Sequence, residues 1–226
     1  WDIVLKEYCH ATDHSHQQLI QRIRKSYANA DMALRITPAP TIDAFSNVID
    51  IGPIAHPSPP ERHRLASAIN LVPNEKTVLV GFGGIALTSL PLEQMEQLLH
   101  YRFLIDSPIP PGYSRIHSIK TLPFSFKTLL ASVDLIMTKP GYGTIVEAVA
   151  LQQPVLYVRR YSFVDEQPLV DYLHRYGRGM ELSLDDFVKG RWEAALRTVL
   201  DLPSPTTPPP SATGAADAAT ILAKSL

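Results

Sequence analysis

The chain has 226 residues, 45% of them hydrophobic and 19% charged, with a formal net charge of -1. At roughly 100–200 residues per domain, this length accommodates one full domain plus a smaller piece, and the apolar fraction supports a packed core rather than disorder. The near-neutral balance excludes the basic stripe of a generic nucleic-acid binder, but leaves room for a small anion held by a local cluster of donors.

The single cysteine, Cys9, rules out an internal disulfide and fits a reducing, cytoplasmic setting. A lone free cysteine reads as a small core residue. No apolar run approaches the ~18 residues of a membrane span, and no signal-peptide pattern is present. The chain opens on Trp1, directly in a patterned segment. We therefore expect a piece of a longer protein whose N-terminal part, with any targeting signal, lies outside it.

In chain order, Leu19, Ile20, Ile23 and Tyr27 recur at helical spacing after a polar His10–His16 cluster. Ala33–Ile36 and Val48–Ile51 read as short strands, and His56–Pro60 as a Pro-rich linker leading to a helix over Glu61–Ile69. From there strands and helices alternate. Strands are expected at Thr77–Val80, Phe103–Ile105, Ile116–Ile119, Leu135–Thr138 and Val155–Val158. Helices are expected at Leu92–Tyr101, Phe126–Ala131, Thr144–Ala150, Gln167–Tyr176 and Trp192–Leu200. Such alternation predicts an α/β fold, a Rossmann-like parallel sheet with helices on both faces. The five prolines of Pro203–Pro210 exclude regular structure, and Ala215–Leu226 has helical composition.

In open parallel sheets ligands bind at the carboxyl ends of the strands, and the glycine loops follow strands. The strongest signal is Lys139-Pro140-Gly141-Tyr142-Gly143-Thr144 followed by Glu147. Glycines admit close backbone approach, and a helix starting near Thr144 aims free N–H groups and its positive dipole end at an anion. Lys139 adds charge, and Glu147 can accept ribose hydroxyls. The same Thr-x-x-Glu spacing also reads as a capping box that merely starts a helix. Gly81-Phe82-Gly83-Gly84 forms a second loop; it is neither a Walker A sequence nor a complete GxGxxG, since Ala86 holds the last position. Asp106 falls where a dinucleotide fold places its acidic residue, which keeps that alternative open. After the last of these strands, Arg159 or Arg160 suits a phosphate, while Glu166 and Gln167 suit sugar hydroxyls; the same stretch also reads as a solvated loop with Asp165 as helix cap.

The run Asp134–Pro154, followed by Glu166-Gln167 before a helix, resembles the C-terminal domain of GT-B glycosyltransferases. It is similar to the lipid I N-acetylglucosaminyltransferase and diacylglycerol galactosyltransferase group, and to the glycosyltransferase-like region of plant arabinokinases. The likeness spans about Val78 to Tyr176. It implies a nucleoside diphosphate sugar, commonly a UDP-sugar, as donor substrate, with no separate cofactor and no metal. On that resemblance Gly83 and Gly84 approach the diphosphate, and Gly141, Gly143 and Thr144 cradle it. Glu147 holds the ribose, Glu166 and Gln167 touch the sugar, and the backbone of Leu122–Phe124 reads the base. Lys139-Pro140-Gly141 departs from the family's His-Gly-Gly or Arg-Ala-Gly, and Asp165-Glu166-Gln167 shifts the sugar-contacting pair by one position.

The resemblance also divides the chain. Residues 1–52 match the remnant of a preceding Rossmann-like, acceptor-side domain, 53–73 a linker and helix, 74–202 the nucleotide-sugar-binding domain, and 203–226 a Pro-rich linker and terminal helix. The acceptor and the catalytic base are not assigned by these residues, and peripheral membrane association would belong to the missing N-terminal domain. His10, His14 and His16 lack the spacing and partners of a zinc site. Two alternatives remain beside the transferase: a non-catalytic nucleotide-sugar-binding module and a sugar-nucleotide epimerase of the same architecture.

Overall fold

A computed structural model describes residues 1–8, 14–82, 90–161 and 163–224. The chain forms two compact units: residues 1–55, 160–172 and 210–226 make the first, and residues 56–159 and 173–209 the second.

In the first unit, α1 (Asp2–Tyr8) and α2 (His14–Ala28) precede two parallel strands, β1 (Ala33–Ile36) and β2 (Val48–Ile51). Helix α2 begins earlier than the apolar spacing alone indicates and carries His14 and His16; Cys9 and His10 lie outside the described residues. Asp2 is buried because the Arg24 guanidinium meets it at 2.8 Å and also reaches Asp43 at 3.0 Å. Tyr27 stacks on Phe45 with ring centroids 4.6 Å apart. The Ala-rich tail folds as the last helix, Gly214–Ala223, and joins this unit. Its Asp217 accepts the Gly52 N–H at 3.0 Å.

The second unit is built on a six-stranded, all-parallel sheet. In chain order it comprises α3 (Arg62–Ala68), β3 (Lys76–Gly81), α4 (Leu92–Gln97), β4 (Tyr101–Ile105), β5 (Ile116–Ser118), α5 (Phe126–Ser132), β6 (Leu135–Thr138), α6 (Tyr142–Ala150) and β7 (Pro154–Tyr157). Then come α7 (Glu166–Tyr176), which begins in the first unit, β8 (Arg178–Glu181), α8 (Leu184–Val188) and α9 (Glu193–Leu200); the tail helix is α10. The strand order β5-β4-β3-β6-β7-β8 is the 3-2-1-4-5-6 order of a Rossmann sheet. Val78, Val80, Phe103, Ile105, Leu135, Met137 and Leu156 pack with Met95, Phe187, Trp192 and Leu196 in one apolar core. Leu79, Leu104, Ile136 and Val155 alternate with those strand residues and are also fully buried, so both faces of the sheet are covered. No helix among the described residues is long and apolar enough to cross a membrane.

The structure corrects several expected boundaries. Helix α4 stops at Gln97, not Tyr101, because Tyr101 and Arg102 already pair with Lys76 and Thr77 of β3. Strand β5 ends at Ser118, and Ile119–Thr121 turns as a 3-10 helix. Strand β8 and helix α8 were not expected. Arg178-Gly179-Met180-Glu181 has neither alternation nor a β-branched run, and it becomes a strand only by pairing with β7 at the sheet edge. Helix α6 starts at Tyr142 rather than Thr144, with Gly141 as its extended N-cap at φ -129° and no side-chain cap. Gly143 therefore lies inside the first turn, held there because Ile145, Val146 and Val149 bury against the rest of the unit.

Candidate functional site

Strands β3 and β6 are neighbours in the sheet but are separated in sequence by β4 and β5, so their carboxyl ends form the topological switch point. Gly81 is in register with Thr138 there, and the Thr138 hydroxyl donates to the Gly81 carbonyl at 2.6 Å. A cavity of about 310 Å³ opens at this edge, lined by Gly81, Phe82, Asp106, Ile119, Phe126, Thr138, Lys139, Gly141 and Thr144. Its lining brings glycine backbone, a threonine and a lysine together with aromatic and aliphatic groups.

The donor side follows from the start of α6. Its first helical hydrogen bond runs from Ile145 N–H to Gly141 C=O at 3.0 Å, so the amides of Gly143 and Thr144 precede the ladder. Neither glycine is required by the protein's own packing. A Cβ on Gly143 would meet nothing within 4 Å, one on Gly141 would meet only the Lys139 carbonyl oxygen at 3.9 Å, and neither has a left-handed φ. Glycine inside a helix costs about 0.5–1 kcal/mol relative to alanine, so Gly143 is a local loss of stability that the fold itself does not explain.

Glu147 is not a capping-box residue. With the helix starting at Tyr142 it lies in the second turn, one turn beyond Thr144 on the same face, and it is buried at 7% relative exposure. Its Oε1 meets the Lys127 ammonium at 2.8 Å and the His56 N–H at 3.4 Å. Its Oε2 is buried without a hydrogen-bond partner among the described residues. Lys127 was not among the sequence-derived candidates; only the packing of α5 brings it to Glu147.

The remaining candidates separate. Gly83 and Gly84 lie outside the described residues. Arg159 follows β7 in the second unit and is not among the cavity-lining residues. Leu122 and Phe124 do not line this cavity either; Phe124 sits in a separate shallow hollow with His63, under the Arg64 guanidinium at 5.2 Å. Asp106 lines the cavity but is exposed, with Lys120 at 3.4 Å.

Glu166 and Gln167 belong to the first unit. Glu166 is fully buried, and its oxygens accept the Arg160 side-chain Nε–H at 2.6 Å and the backbone N–H groups of Arg160 and Tyr161 at 3.0 and 3.3 Å. In this structure it closes its own loop, and the same Arg160 guanidinium lies over the Phe163 ring at 3.5 Å. Gln167 is exposed and donates to Asp171 at 2.7 Å.

This doubly wound sheet, with a cavity at the switch point, has the fold of the C-terminal domain of GT-B glycosyltransferases. Among curated proteins, L-arabinokinase of Arabidopsis thaliana is 24% identical over 208 residues, which is 89% of this chain and 19% of that protein. The glycotransferase of kitacinnamycin superposes with a TM-score of 0.55 at 14% identity, over 89% of this chain and 57% of that one. A UDP-glucosyltransferase from Polygonum tinctorium capable of glucosylating indoxyl gives a TM-score of 0.50 at 20% identity, over 81% and 47% of the two chains. No family model matches the sequence. The chain thus spans about half the length of these solved glycosyltransferases and about a fifth of the arabinokinase.

Proposed function

We propose that the cavity at the β3–β6 edge binds the diphosphate and ribose of a nucleoside diphosphate sugar, with a UDP-sugar as donor. The observation that carries this reading is the start of α6. Two glycines leave its backbone N–H end open without any packing need, and one turn further on a buried carboxylate keeps one oxygen unfilled. In this reading the amides of Gly143 and Thr144 and the Lys139 ammonium meet the diphosphate. Glu147 accepts a ribose hydroxyl. The likeness to a UDP-glucosyltransferase supports the choice of UDP.

For the whole protein we propose glycosyl transfer to an acceptor hydroxyl, in the cytoplasm. The bond between the anomeric carbon and the diphosphate oxygen breaks, the acceptor oxygen bonds to that carbon, and its proton passes to a base supplied outside the cavity described above. The departing diphosphate gains negative charge, which preorganised N–H groups and a lysine stabilise.

Calorimetric titration of the chain with UDP, GDP, TDP and NAD tests the reading. UDP is expected to bind most tightly. Tight NAD binding without any for the diphosphates would instead favour a dinucleotide site, with Asp106 at the cavity rim holding a ribose.

A further inference from the structure

A second consequence rests on the nucleotide reading of the α6 site and extends it to a residue outside the glycine loops. Lys127 is the second residue of α5. Its Nζ lies 2.8 Å from Glu147 Oε1 and donates to the His56 carbonyl at 3.4 Å, while the His56 N–H points back to Oε1 at 3.4 Å. Oε1 therefore has both the Lys127 ammonium and the His56 N–H beside it. Oε2 has no hydrogen-bond partner among the described residues and is shut off from water. A buried carboxylate oxygen left without a donor is costly, and native proteins seldom keep one that nothing fills. The ammonium has three N–H groups, one of which donates to the His56 carbonyl, while Glu147 Oε1 lies within ion-pair distance. The Lys127 side chain is 52% exposed, so the ammonium still faces solvent or ligand.

We propose that Lys127 is a positioning residue for ribose recognition: it fixes Glu147 through Oε1 so that Oε2 receives one ribose hydroxyl, while an ammonium N–H meets the other. A cis-diol is then read by an acceptor and a donor side by side, rather than by a carboxylate gripping both hydroxyls. Thr144, which lines the cavity one turn earlier on the same face as Glu147, puts the diphosphate end of the same ligand within the reach of one nucleotide.

The test is calorimetry on the full chain with UDP, 2′-deoxy-UDP, 3′-deoxy-UDP and inorganic pyrophosphate, for the native protein, Lys127→Met and Lys127→Arg. Lys127→Met leaves the buried Glu147 carboxylate without its cation, so its melting temperature is expected to fall, and titrations are run well below that midpoint with Lys127→Arg, which keeps the charge, as the folded control. Lys127→Met is expected to weaken UDP about tenfold, to shrink the preference for UDP over both deoxy analogues, and to leave pyrophosphate within about twofold. Lys127→Arg is expected to recover most of the loss. Equal weakening of all four ligands would reduce Lys127 to a distant charge, and no change in any would reduce it to a surface ion pair. Either result overturns the positioning role while leaving the site reading intact. A native chain that binds neither UDP nor pyrophosphate overturns the site reading, and this inference with it.

Discussion

Replacing Gly143 by alanine separates what the fold needs at that position from what a ligand needs. A Cβ there meets nothing within 4 Å, and the residue has helical rather than left-handed backbone. Steric cost is therefore absent, and alanine gains about 0.5–1 kcal/mol from its greater helix propensity and the narrower unfolded ensemble. For a chain of this size a gain of that order raises the melting temperature by about 1–4 °C. The new methyl group would stand beside the amide that the proposed site offers to a phosphate oxygen. Losing one charge-assisted hydrogen bond costs about 1.5–3 kcal/mol, so UDP affinity is expected to fall by about ten- to a hundredfold. Thermal melts and calorimetry on one preparation, at fixed salt, read both effects. A variant that melts higher and binds UDP unchanged would refute the assignment of Gly143 to the diphosphate. A variant that melts lower would refute the packing argument itself.

Gly179→Ala should behave in the opposite way. Its Cβ would lie 2.5 Å from Leu173 Cδ2, and Leu173 is fully buried, so overpacking is expected to destabilise by about 1–3 kcal/mol without changing UDP affinity, as paired melts and titrations would reveal. Glu147→Gln is isosteric and gives up an ion pair whose carboxylate is buried and whose lysine is half exposed, while also removing the cost of burying the charge, so the two terms offset to within about 1 kcal/mol. Stability should hardly move while UDP binding weakens about tenfold, and unchanged binding with a lowered melting temperature would make Glu147 purely structural. Glu75→Gln tests the sheet's other end. Burial pushes the Glu75 carboxyl up, but the Arg102 side chain, the Val72 N–H and Arg115 together hold it below the ordinary value. A depressed carboxylate gives stability that is complete above about pH 4.3 and is lost as pH falls through the lower folded value. The variant is expected to be less stable by about 3 kcal/mol at pH 7, with the two urea-unfolding curves converging at acid pH. A difference that persists at pH 2 would contradict the ion-pair account.

Much of the sheet was legible because its strands are short β-branched runs between punctuating residues. Thr77–Val80 and Leu135–Thr138 are buried on both faces, as their continuous apolar character requires. Where the chain departs from expectation, a pairing partner decides. Tyr101 looks like the end of a helix until Lys76 opposes it, and Arg178–Glu181 looks like a loop until β7 lies alongside. At the site, the glycines and Glu147 were visible as a motif, but their register was not. Gly143 argues locally against helix, and only the burial of Ile145 and Val149 extends α6 back through it. Lys127 and His56 could not be read at all, since their link to Glu147 exists only once α5 and the Pro-rich segment have packed. Glu166 is a related case. Its residue type suits a sugar, and in the folded chain the arginine six positions earlier and two backbone amides donate to it, which no sequence pattern shows.

Asp106 lines the β3–β6 cavity, while Glu147 does not line it and stands one helical turn beyond Thr144, which does; the surroundings of the two acids differ. Asp106 is 60% exposed at the side chain, with Lys120 at 3.4 Å, so water and a mobile cation already satisfy it. A hydroxyl arriving there replaces water with little net gain. Glu147 is 9% exposed at the side chain, and its Oε2 has neither water access nor a donor among the described residues. Filling such an oxygen removes a penalty of about 1–3 kcal/mol, a difference of about five- to a hundredfold in affinity. A dinucleotide bound as in the usual Rossmann arrangement would place its ribose on the carboxylate after the second strand of the sheet, here Asp106, and would leave that penalty in place. A nucleoside diphosphate lying along the start of α6 would relieve it. The energetic asymmetry between the two acids therefore favours the diphosphate-sugar orientation on grounds independent of the glycine loops.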